Sequence, residues 1–126
     1  MISAKQIAAV LKLNAPERYN HFVKKVVDYE EVWGLFSDGW ATTQDDKNNK
    51  LVPLWPQQEY ALLNATGDWI DFEPKAILLD EFLDMFVSEL QASNYGLSVF
   101  YVDGVGGVDI EICQIITDLK AELSKY

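Results

Sequence analysis

His21 and Cys113 are the single histidine and the single cysteine of this 126-residue chain. Together with 20 acidic side chains they are the inventory for acid–base, nucleophilic or metal chemistry. A nucleophile needs a base within hydrogen-bond reach, held by a third group. His21 lies in ERYNHFVKKVV, where helical periodicity buries Tyr19, Phe22, Val23 and Val26. That spacing turns His21 to the solvent side with Arg18 and Lys25. Cys113 falls on a distant C-terminal helix, so no Cys–His pair is expected. One histidine without a second soft ligand makes a poor zinc site, and a lone cysteine excludes both a cysteine-based one and an intrachain disulfide.

Two loops hold charge or glycine where ligands are often bound. QDDKNNK at 44–50 has carboxylates but lacks the alternating ligands, central Gly and closing Glu of a calcium loop. It reads as a polar hairpin loop. DGVGGVD at 103–109 follows a strand and precedes a helix, as a phosphate-binding turn would. Its glycine fingerprint is incomplete, and Asp103 and Asp109 repel phosphate, so it reads as a Gly-rich turn. Elsewhere Asp28, Glu30, Glu31, Asp68, Asp71, Glu73, Asp80, Glu81 and Asp84 supply carboxylates. Nothing in their spacing selects a pair for glycoside hydrolysis or Mg²⁺. No catalytic residue, cofactor-binding residue or metal ligand is assigned, and no cofactor is expected.

The aromatic residues are the remaining candidates. Trp33, Trp40, Trp55 and Trp69 are four tryptophans in a short chain. The segment EVWGLFSDGWATT predicts a hairpin, with Asp38-Gly39 as a two-residue type I′ turn. Ser37 would then face Trp40, and Trp33, Leu35, Trp40 and Thr42 would share one face. Val32, Gly34, Phe36 and Ala41 would share the other. In LVPLWP, Pro53 and Pro56 fix the backbone on both sides of Trp55, where a strand hands over to a helix. Two readings follow. The rings are core, or Trp33, Trp40, Trp55, Tyr60 and Trp69 line a groove for a peptide or small ligand. For Trp55 itself the rigid junction favours the core.

The elements that must position these residues can be read from caps and periodicity. Ser3 with Gln6 and Asn14 with Glu17 open two helices that form an N-terminal helical hairpin. The hairpin strands follow, then a third strand at LVPLW, antiparallel to the second and an edge or bulged at Pro53. Pro56 starts a helix that runs to about Asn64. Pro74 breaks the next stretch before a short strand, AILL. Asp80 caps a helix with the stripe Phe82, Phe86, Val87 and Leu90. LSVFYV is a buried strand, and Ile112, Ile115, Ile116, Leu119 and Leu123 place a last helix. The expected class is α+β, a largely antiparallel sheet with the helical hairpin and further helices packed on it. The whole chain, 1–126, reads as one domain.

Net charge is −10. That argues against nucleic acid and against docking on anionic lipid, and it steers basic partners toward the chain. The N-terminus lacks a signal peptide's order of parts, no run approaches membrane-spanning length, and one cysteine suits a reducing cytosol. A cytoplasmic location is expected.

The strings ERYNHFVKKVVDYEEVWGLFSDGWA, NKLVPLWPQQEYA and GDWIDFEPKAILLDEFLDMFVSEL occur in that order over about 17–102. In them the chain resembles the bacterial domain of unknown function family 2750. The resemblance implies a small, single-domain, cytosolic bacterial protein and brings no activity or site residue. The leading expectation is a non-enzymatic module that binds a basic protein or peptide. The alternative is a small-molecule-binding protein or enzyme with a Trp-lined pocket and carboxylates. The sequence leaves the oligomeric state open.

Overall fold

A computed structural model describes residues 2–126. The Ser3–Gln6 capping box forms, each residue's side chain accepting the other's backbone N–H at 3.1 Å. It opens α1, Ala4–Leu11, none of whose residues is fully buried. Asn14 Oδ1 accepts the Glu17 N–H at 2.9 Å and opens α2, Ala15–Tyr29. The buried face of α2 carries Phe22, Val23, Val26 and Val27, and also Arg18. Arg18 was expected on the solvent side but is only 5% exposed. It lies one turn before Phe22 on the same stripe, and its stem is long enough to be covered while Nη1 donates to the Leu13 carbonyl at 3.2 Å.

After α2 comes β1, Glu31–Phe36. Apart from one bridge, Phe36–Trp40, it pairs not with the segment that follows it but, antiparallel, with β4, Glu73–Leu78. Asp38-Gly39 does turn the chain, but as a three-residue loop in which Phe36, rather than Ser37, faces Trp40. Asp38 has φ 58°, and Gly39 is outside the left-handed region. A type I′ turn needs positive φ at both central residues, so the turn is of another kind. The one-residue slip moves Trp40 to the opposite side of the sheet from that expected. Its ring lies over Gly34, where a Cβ would come within 2.9 Å of it.

β2, Thr43–Gln44, and β3, Lys50–Leu54, are antiparallel as expected. β3 is not an edge. It runs parallel to β5, Gly96–Val102, which pairs antiparallel with β6, Gly106–Ile110, giving the order β2-β3-β5-β6. The end of DGVGGVD is thus a strand rather than only a turn. Trp33 and Trp55 exchange backbone hydrogen bonds of 2.9 and 2.8 Å and tie the two sheets together. Since N–H directions alternate along a strand, Pro53 shares the Trp55 flank. It falls in the gap between that bridge and the β2 pairing, where its missing donor is not needed.

The Trp55 backbone is still in a ladder and the chain then bends at Pro56 and Gln57, so α3 begins later, at Gln58–Leu63. A 3₁₀ turn, Gly67–Trp69, leads to β4, whose Pro74 is accommodated on an edge strand. α4, Leu79–Glu81, continues through a π-helical turn, Phe82–Phe86, into α5, Val87–Ala92. Leu78, not Asp80, is the N-cap. Asp80 and Glu81 occupy the first turn, where the helix dipole favours them. α6, Ile112–Leu123, buries Ile115 and Leu119.

Phe82, Phe86, Val87 and Leu90 are core, as the spacing predicts. Four successive residues of β5, Leu97–Phe100, are buried, so both faces of that strand are covered. The fold is α+β, with β3–β5 the one parallel pairing among the described residues.

Candidate functional site

The five aromatic candidates do not share one groove. Trp55 is 0% and Tyr60 1% exposed, and both belong to the core. The Trp55 indole N–H donates to the Tyr101 carbonyl at 2.8 Å. Trp40 is half-buried and meets Phe36 and Phe86 edge-on at 5.1 and 5.5 Å. Trp33 is half-buried and held by its backbone bridge to Trp55. Trp69 packs edge-on against Trp55 and Tyr101, and it lines a cleft of about 690 Å³.

Asp68, Asp103 and Tyr101 line the same cleft. Asp68 and Trp69 come from the 3₁₀ turn, Tyr101 from the end of β5 and Asp103 from the turn that follows it. A second cleft of about 540 Å³ shares Thr43, Gln44 and Tyr101 with the first. It adds Asp45, Asp46 and Asp109, with Lys47 as its one cation. The two clefts form a trough on either side of Tyr101, lined by five aspartates and one lysine.

Local structure explains the arrangement. The β5–β6 register shifts between Val99 and Val102, and buried Phe100 takes φ 54° there. A bulge of this kind re-aims the following side chain. It breaks the alternation of LSVFYV, so Tyr101 reaches the cleft and its carbonyl reaches Trp55. In the 44–50 loop, Asp45 accepts the Lys47 and Asn49 backbone N–H groups at 2.8 and 2.9 Å, and the Asn49 amide at 3.0 Å. The amide and backbone donors of Asn49 hold its carboxyl below the ordinary range, so it is charged at neutral pH. Partial burial, then the charges of Asp45 and Asp46, push the Asp109 carboxyl up. The trough therefore carries negative charge that its own side chains do not neutralise.

His21 departs from the solvent-facing expectation. It is half-buried, edge-on to Tyr60 and tilted against Phe100, and its Nε2 is buried without a hydrogen-bond partner among the described residues. Burial, then the Lys25 charge, lowers its pKa, so the imidazole is neutral near pH 7. Cys113 is exposed and lines a cleft other than that of His21. Among the described residues no group of three or more His, Cys, Asp or Glu is placed to hold a metal ion. No helix among them is long and apolar enough to cross a membrane.

Sequence reasoning found Trp69 and missed Tyr101, because a bulge is not visible in a pattern of apolar residues. It noted the aspartates without their convergence, which depends on strand pairings far apart in sequence. Neither a curated protein nor a solved structure matches the chain. A family model, Protein of unknown function (DUF2750), matches residues 19–119, from the middle of the first turns of α2 into α6. With most of its length inside that match, the chain belongs to the DUF2750 family.

Proposed function

We propose that this protein is a non-enzymatic interaction module that takes a basic peptide segment of a partner along the trough centred on Tyr101. The observation that carries this reading is the pairing of uncompensated carboxylates with two aromatic rings in two adjacent clefts that share Thr43, Gln44 and Tyr101. Lys and Arg side chains bind such surfaces through both parts. The carboxylates attract the charge, and Trp and Tyr faces accept it by cation–π contact. Trp69 and Tyr101 are held edge-to-face at 5.3 Å, so little side-chain freedom remains to be lost on binding. The net charge of −10 adds long-range steering toward a basic partner and away from nucleic acid and anionic lipid. The lone cysteine and the family resemblance support a bacterial cytosolic setting.

Asp109 is the observation that favours the enzyme alternative, since a raised carboxyl in a cleft is a common catalytic acid. It is exposed on strand β6, and no histidine or cysteine lines its trough. A binding role is the better fit.

A fluorescein-labelled Lys/Arg-rich peptide tests the proposal by anisotropy at physiological salt. Trp69→Ala should weaken binding about tenfold, within the range for loss of an aromatic anchor. The pair Asp68→Asn and Asp103→Asn should weaken it at least as much, and Asp80→Asn with Glu81→Gln, far from the trough in sequence, should not. Equal losses from the trough and control pairs, with no effect of Trp69→Ala, would reduce the interaction to bulk charge and defeat the proposal. Duplex DNA serves as the probe that should not bind.

A further inference from the structure

A third cleft, of about 490 Å³, lies where α1, α2 and the start of α3 meet. It is separate from the acidic trough and shares none of its residues. Its size is that of a small-molecule site. Two opposite charges line it. Lys25 is half-buried, and among the described residues no carboxylate lies within 4.0 Å of its ammonium, the one ion pair there being Lys125–Glu122. Glu59 is also half-buried, and its Oε2 accepts the Ile2 N–H at 3.2 Å. Lys25 and Glu59 thus face one cleft without pairing across it. Ile2, Val10 and Tyr60 give it an apolar wall, and Gln6 and Gln57 add neutral polar groups.

We propose that this cleft binds a small zwitterion, an α-amino acid with an apolar side chain, whose carboxylate pairs with Lys25 and whose ammonium pairs with Glu59. A simple anion would meet the Glu59 charge, and a simple cation would meet Lys25. A zwitterion meets both favourably, and its side chain lies on the apolar wall. His21 stands beside Lys25, and burial together with the Lys25 charge keeps its imidazole neutral near pH 7, so Lys25 and Glu59 are the two charges a ligand meets here. Phe100, held at φ 54°, packs on both His21 and Tyr60 and fixes the floor under them.

Two-dimensional ¹H–¹⁵N NMR titration of the full chain with leucine reads the site residue by residue. Isovalerate, which lacks the ammonium, and isopentylamine, which lacks the carboxylate, are the comparison probes. Leucine should shift the amides of Lys25, Glu59 and Tyr60 saturably. Each comparison probe should bind at least about tenfold more weakly, the loss of one charge-assisted contact. Lys25→Met and Glu59→Gln should each cost leucine a similar factor, and Lys25→Arg should keep most of the affinity. Unchanged spectra away from the cleft certify that the variants are folded. The proposal is overturned if leucine leaves those amides unmoved, if either comparison probe matches leucine, or if the two variants bind like wild type.

Discussion

Replacing Trp55 by alanine tests the central junction of the fold. The side chain is 0% exposed, so the whole ring must leave a packed environment. Burying about 200 Å² at about 25 cal/mol per Å² corresponds to about 5 kcal/mol of transfer free energy. Measured truncations of buried aromatics fall at about 3–5 kcal/mol, because neighbours collapse part-way into the cavity. The lost indole donor leaves the Tyr101 carbonyl without its 2.8 Å partner. Tyr101 is half-buried on the cleft, so water replaces much of that bond and the added cost stays near about 1 kcal/mol. The expected loss is about 4–6 kcal/mol, which would leave a domain of ordinary stability, about 5–15 kcal/mol, marginal or unfolded. Trp55→Phe keeps a ring and removes the donor, and should lose about 1–3 kcal/mol. The assay is urea denaturation followed by far-ultraviolet circular dichroism, since the fluorophore itself is removed. A loss under about 1 kcal/mol for Trp55→Ala, as at an ordinary surface site, would refute the core assignment.

The turn after β1 makes a second test. Asp38 carries the positive φ, so Asp38→Val should lose about 1–2 kcal/mol, while Gly39→Val, with open space around the new Cβ, should stay within about 0.5 kcal/mol, both read from urea midpoints. Equal losses at the two positions would mean that backbone strain does not govern this turn. The third test concerns pH. The folded pKa of His21 lies below its ordinary 6.5, so in the window beneath 6.5 the unfolded chain binds a proton that the native one does not. Stability should fall as pH drops through that window, and His21→Phe should remove that part of the slope. Midpoints with the same pH slope in wild type and variant would show that other groups carry it.

Local chemistry was legible in the sequence because it depends on residues within a turn or two of one another. The Ser3 and Asn14 caps, the α2 and α6 stripes and the run of β5 follow from side-chain type and spacing alone. The chain's net charge of −10 was also legible in composition, since counting charges needs no structure. Strand pairing did not. β1 bypasses its sequence neighbour for β4, about forty residues on, because burial of both faces of Val32–Leu35 outweighs the short loop closure a hairpin would offer. The three-residue loop then shifts Trp40 across the sheet, a change no alternation pattern can register. Arg18 departs from the solvent side that the stripe spacing assigns it, because its long stem is covered and its head reaches a carbonyl. The candidate site shows the same division. The sequence supplied aspartates and a tryptophan, but only tertiary structure brought Asp45, Asp109 and Asp68 around Tyr101 and turned that ring outward at a bulge. Those placements are sums of many weak contacts between distant segments, and such sums are fixed only when the whole chain packs.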